Sequence, residues 1–250
     1  MSSGVAFEPD ESTALRVGER SIPVEVFVPS GDDAGERPGV LVLHEVWGLN
    51  DDIRRIARRF ADNGYVAAAP DMLDGGLKVR AVTRARESLR DGDGAAVREL
   101  EAVVDMLSER PGVGPVGAVG FCFGAGFALL LACRRSVSVA GVYYGDPANR
   151  AREDLARACP IVGGYGTKDR SLRRKSRQLI STLDELGREH DIKVYEDAGH
   201  SYMSTAGHPV FAAVTRGVYH VEYHEDAAED SWRRMLEFFG RHLMPAEIAA

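Results

Sequence analysis

The stretch Gly114–Arg135 reads GPVGAVGFCFGAGFALLLACRR. It contains a short apolar run, Pro115–Gly120, and a longer one, Cys122–Arg135, joined through Gly120-Phe-Cys-Phe-Gly124. The first run has the length and flanks of a buried strand, the second those of a buried helix. A cysteine that only fills core needs no glycine on either side. A nucleophile does: in a strained strand-to-helix turn the side chain stands clear of the sheet edge, and flanking glycines let strand and helix approach closely. The helix N-terminus favours a thiolate at Cys122. The backbone N–H of Phe123 would point to where an oxyanion forms. The alternative is a buried apolar cysteine in a packing turn, since cysteine is commonly buried.

Working outward, strand and helix signals alternate. Ile22–Pro29 alternates apolar and polar residues, and Gly39–His44 is a continuous apolar run. A helical spacing follows over Asn50–Asn63, with Ile53, Ile56, Ala57 and Phe60 on one face and Gly64 beyond it. Tyr65–Pro70 reads as a strand and Gly94–Arg110 as a helix. Past the central stretch come strands at Val137–Gly145, Cys159–Gly166 and Ile192–His200, with helices at Ser171–His190 and Glu225–Leu243. This alternation predicts one α/β domain over residues 1–250, a mostly parallel central sheet with helices on both faces. Asp71–Gly94 and Thr205–Glu225 carry no clear pattern and are expected to be loops.

A nucleophile needs a base. Asp169 follows the strand ending at Gly166, and His200 follows the next one, both where loops of an open parallel sheet carry chemistry. The order nucleophile, acid, histidine is that of the α/β-hydrolase triad. Cys122 would attack, His200 would handle its proton and Asp169 would orient the imidazole.

Composition narrows the class. Acidic residues outnumber basic ones, 38 to 31, for a formal charge of -7, which argues against nucleic-acid binding. The polar, acidic N-terminus shows no secretory pattern, and no run is apolar enough for a membrane span. Three cysteines without paired spacing suit a reducing cytoplasm and exclude a Cys-rich zinc module.

The motifs HEVWGLN (His44–Asn50), GFCFG (Gly120–Gly124), YYG (Tyr143–Gly145), the Asp169 loop and AGHSY (Ala198–Tyr202) resemble the dienelactone hydrolases, or carboxymethylenebutenolidases. The resemblance runs from about Pro23 to the last helix. It implies an α/β-hydrolase fold and cleavage of a small-molecule ester or lactone by a Cys-His-Asp triad without cofactor or metal. It implies that Glu45 lies near Cys122 and gates it, and that the Val46 N–H joins that of Phe123 in the oxyanion hole. Trp47, Tyr144 and Tyr202 are expected to line the substrate pocket. One departure stands out: the family's carboxylate-binding arginine, a few residues past the histidine, is absent from GHSYMSTAG, leaving Arg80, Arg84 and Arg86 as replacements.

Two other readings use the segment YHVEYHED. His220, Glu222 and His224 at alternate positions could hold zinc, but a solvated edge is the simpler reading. Cys122, His220 and Glu222 also match the order in class I glutamine amidotransferases, a reading that leaves Asp169, His200 and HEVWG without roles. A hydrolase fold kept as a non-catalytic binding module is the third option, against which all three triad positions carry competent residues.

Overall fold

The computed structural model describes residues 7–31, 35–75, 79–147, 150–205 and 218–244. Its centre is an eight-stranded sheet in the order β1-β2-β4-β3-β5-β6-β7-β8. The strands are β1 (Glu11–Val17), β2 (Arg20–Phe27), β3 (Arg37–Leu43), β4 (Val66–Pro70), β5 (Val113–Phe121), β6 (Ala140–Tyr143), β7 (Ile161–Gly166) and β8 (His190–Tyr195). β1 and β2 pair antiparallel, as do β2 and β4, while all pairs from β4 through β8 are parallel. Strands read from continuous apolar runs are those buried on both faces, as parallel strands must be; every residue of β4, β6 and β7 is buried.

The helices are α1 (Asp51–Asp62), α2 (Val79–Asp91), α3 (Ala95–Ser108), α4 (Phe123–Arg134), α5 (Arg152–Leu155), α6 (Arg173–Glu185) and α7 (Glu225–Leu243). α1 starts where the Asn50 side chain accepts from the Ile53 N–H, with Asp51 and Asp52 in the first turn, favourable at the positive end of the helix dipole. Side chains of α2, α3, α4 and α6 pack on one face of the sheet, and those of α1 and α7 on the other. α4 is buried from Gly124 to Cys133, which matches its lack of a polar face.

Besides the one-turn helix α5, two elements escape the sequence pattern. β1 is an exposed edge strand, so no apolar run marks it; it is held by pairing with β2 across the two-residue turn Gly18-Glu19, where Gly18 has φ 61°. The first expected loop contains α2, whose buried stripe is Ala81, Val82, Ala85 and Ser88. Small residues at helical spacing bury little area, so arginines dominate the segment's composition. Of the second expected loop, residues 206–217 lie outside the described residues, and Val218–His224 forms neither helix nor strand.

The connections fix where chemistry can occur. From β3 the chain crosses through α1 to β4 on one side, then returns through α2 and α3 to β5 on the other side of β3. The carboxyl ends of β3 and β5 therefore flank a topological switch point, where loops diverge and leave a crevice. Residues 44–50 follow β3 there, and Cys122 follows β5.

Candidate active site

Cys122 sits at φ 49°, ψ -109°, a region that non-glycine residues rarely occupy. Its N–H donates to the Tyr143 carbonyl (3.1 Å), tying the turn to β6. Both flanking glycines are sterically required. A Cβ on Gly120 would run into the Gly124 backbone, and one on Gly124 into the carbonyl oxygens of Leu43 and His44. The first turn of α4 thus lies directly against the segment that leaves β3. Among the described residues, no backbone carbonyl accepts from the Val46 or Phe123 N–H.

The loops after β7 and β8 are stitched to each other. Thr167 N–H donates to Tyr195 O and Lys168 N–H to Ala198 O, each at 2.9 Å. Positive φ at Asp197 (61°) and Ser201 (56°) bends the second loop around His200, whose N–H donates to Tyr219 O (2.8 Å). Asp169 and His200 come together as a result. His200 Nδ1 lies 2.7 Å from Asp169 Oδ2, and His200 Nε2 lies 3.1 Å from Cys122 Sγ. Asp169 is 1% exposed, and its other oxygen accepts from Ser171 N–H (3.0 Å), Ser171 Oγ (2.6 Å) and Leu172 N–H (3.3 Å). That network leaves the carboxylate little freedom to turn away from the ring. Burial opposes charge on His200, but the Cys122 sulfur and the Asp169 carboxylate outweigh it and hold the imidazole well above its ordinary range.

Glu45 is buried, 5% exposed. Ser201 Oγ donates to its Oε1 at 2.8 Å, and the Tyr144 side chain also hydrogen-bonds to it. Burial pushes its carboxyl above the ordinary carboxylate range, against the pull of the His200 charge, Ser201 and Tyr144. Its hydrogen bonds therefore reach the residue beside His200, and among the described residues none joins it to Cys122. His44 is fully buried, with Nδ1 2.6 Å from the Glu45 carbonyl oxygen and Nε2 accepting from Met72 N–H at 3.0 Å. The other cysteines are buried thiols that burial pushes up to about 12, a poor setting for a nucleophile.

The three aromatic residues expected on the pocket wall sit in different surroundings. Tyr144 packs edge-on against His200, the two ring centroids 5.5 Å apart. Tyr202 is core: it is fully buried and its hydroxyl bonds Ser231 Oγ of α7 at 2.7 Å. Trp47 lines a hollow of about 330 Å³ with Pro23, Leu49, Arg54 and Asp71, against β1 and β2, and none of Cys122, His200 and Asp169 lines it. Arg84 is committed to the Met72 carbonyl (3.2 Å) and to Asp74 (3.6 Å), and Arg80 and Arg86 are exposed on α2. His220 pairs with Glu222 (3.2 Å), and His224 accepts from Ala227 N–H at the start of α7. Among the described residues no group of His, Cys, Asp and Glu could hold a metal ion, and the cysteine's histidine partner is His200, not His220.

Two polar contacts of this site have no counterpart in the sequence reading: Ser201 on Glu45, and His44 on the Glu45 carbonyl. Both residues stand inside motifs quoted above, next to residues singled out for chemistry. Adjacency was the only signal.

A family model described as the dienelactone hydrolase family matches residues 24–243. A protein of Saccharolobus solfataricus named "Putative carboxymethylenebutenolidase" is 28% identical, covering 81% of this chain and 88% of its own. One of the same name from Escherichia coli K12 is 29% identical, covering 97% and 92%. A solved structure named m3DLH superposes with a TM-score of 0.78 at 26% identity, covering 93% of this chain and 98% of that one.

Proposed function

The chain belongs to the dienelactone hydrolase family, and from that premise we propose that it hydrolyses an ester or lactone bond of a small molecule through Cys122, His200 and Asp169. The observation that carries this reading is the continuous relay of Sγ to Nε2 (3.1 Å) and Nδ1 to carboxylate (2.7 Å) at the end of β5. His200 takes the thiol proton as Cys122 attacks the substrate carbonyl carbon. The carbonyl oxygen becomes an oxyanion held by the N–H groups of Val46 and Phe123, which nothing else among the described backbone engages. The intermediate collapses to a thioester and expels an alkoxide, which takes the proton from His200. Water, deprotonated by His200, then attacks the thioester through a second oxyanion and releases the carboxylic acid. When the substrate is a lactone, alkoxide and acid are two ends of one product.

Asp169 keeps the imidazole in its productive tautomer and stabilises it when charged. Glu45 acts on the same ring from further out: its carboxylate lies close enough to interact electrostatically with His200 and holds Ser201, the next residue in the loop. Its gating of the nucleophile would then run through His200 rather than by contact with sulfur.

The test is turnover of p-nitrophenyl acetate. Cys122→Ala and His200→Ala should each abolish it, and the double variant should be no worse than the worse single one, because triad members act as a unit. Asp169→Asn should keep a small residual rate. An acetyl group trapped on the Cys122 peptide by acid quench would identify the thioester. Unchanged turnover in Cys122→Ala would sink the mechanism.

A further inference from the structure

His44 directly follows β3 and is wholly buried. Nothing in the triad chemistry uses it. Its two ring nitrogens are nevertheless both engaged, and their partners define its state. Met72 N–H can only donate, so Nε2, at 3.0 Å, must accept. The ring proton therefore sits on Nδ1 and is donated to the Glu45 carbonyl oxygen at 2.6 Å. Burial supports the same assignment, since it holds His44 below the ordinary histidine range; Asp71, 3.9 Å from Nε2, is the charged group that opposes it. The Glu45 carbonyl also accepts from Gly48 N–H at 3.2 Å, so two donors converge on one oxygen.

The consequence follows from peptide planarity. The Glu45 C=O and the Val46 N–H belong to one rigid trans unit and point in opposite directions. Fixing the oxygen fixes the hydrogen. Gly124 lies against the carbonyls of Leu43 and His44, so the two peptides that lead into this unit pack on the first turn of α4. A rotation of the Glu45–Val46 unit would withdraw one oxyanion donor while leaving the cysteine and histidine in place.

We propose that His44 is a positioning residue for catalysis: by donating to the Glu45 carbonyl while accepting from Met72, it locks the Glu45–Val46 peptide with the Val46 N–H turned toward the substrate oxygen. This deepens the reading above and rests on Val46 being an oxyanion donor.

Two rates separate this role from a general structural one. Acylation by p-nitrophenyl acetate, followed as a single turnover, passes through an oxyanion. Alkylation of Cys122 by iodoacetamide is displacement at a saturated carbon and forms none. His44→Ala should slow acylation by up to about 10²–10³-fold, the loss that follows removal of an oxyanion-hole donor, while its alkylation rate against pH superimposes on wild type. His44→Gln, whose amide NH2 can donate and whose carbonyl oxygen can accept, should recover most of the acylation rate. A third protein carries an amide-to-ester replacement at Val46, which deletes that N–H alone. If the ester slows acylation and His44→Ala does not, the role of His44 is overturned and the oxyanion hole stands. If the ester has no effect, Val46 is not a donor and the inference falls with it. If acylation and alkylation fall together in both His44 variants, His44 supports the whole turn and the specific role is wrong. Nitrogen-15 NMR of wild-type His44 at pH 7 gives a check independent of variant folding. Protonated Nδ1 with bare Nε2 is the expected state, and the opposite tautomer or an imidazolium overturns the proposal.

Discussion

Glu45 is a buried carboxyl group whose ionisation costs stability. Its carboxyl is raised above the ordinary carboxylate range by burial, so the folded protein binds a proton there more tightly than the unfolded chain does. The contribution of this group to stability is full below the unfolded value, near 4.5, and is lost as pH rises through the folded one. Glutamine keeps an acceptor for Ser201 Oγ and carries no charge. Glu45→Gln should therefore gain stability relative to wild type as pH rises from about 4 to 8, and differential scanning calorimetry across that range measures it. The same variant should lose activity, since the carboxylate no longer supports charge on His200. A stability difference independent of pH, or one that shrinks toward pH 8, would contradict the assignment.

At the scale of elements, β3, β5 and α4 meet at a point where no side chain fits. Gly124 has no room for a methyl group because the Leu43 and His44 carbonyls occupy it, and those carbonyls are the last of a central strand and the first beyond it. Backbone cannot yield as a flexible side chain can, so the strain spreads to strand and helix. Gly124→Ala should cost about 3 kcal/mol or more, at the upper end of overpacking penalties, equivalent to a fall in Tm of about 6–12 °C for a domain of this size. Gly240→Ala, a helical glycine with open space where its Cβ would sit, is the control and should be neutral or slightly stabilising. If Gly124→Ala melts with wild type, the close approach of α4 to β3 is wrong.

The molecule as a whole carries a formal charge of -7, and no lysine or arginine among the described residues hydrogen-bonds to Cys122, His200 or Asp169. The segment after His200 contains no arginine as far as Gly207, and Arg84 is already committed to Asp74 and the Met72 carbonyl. A charge-assisted hydrogen bond contributes about 1.5–3 kcal/mol, roughly one to two orders of magnitude in kcat/KM. Neutral aryl acetates should therefore be turned over at least as well as carboxylate-bearing esters of the same size. A preference of tenfold or more for the carboxylate would show that a cation reaches the site. No helix among the described residues is long and apolar enough to cross a membrane.

The sequence by itself determined the parallel core, because strands buried on both faces must be continuously apolar, and it marked Cys122 as the candidate nucleophile, because a tight strand-to-helix turn needs glycines at Gly120 and Gly124. It marked Asp169 and His200 by their place after strands. It was blind to β1, whose exposed edge carries no apolar run, and to α2, whose buried stripe is built from alanine and serine. Tertiary structure alone decided which polar atoms meet. Tyr202 turned into the core because its hydroxyl finds Ser231, 29 residues away. Trp47 turned toward β1 and β2. His44 and Ser201 came to hold Glu45 from two sides, Ser201 across 156 residues of chain. Hydrogen bonds at that separation depend on where loops close over a sheet edge, and no local periodicity encodes it.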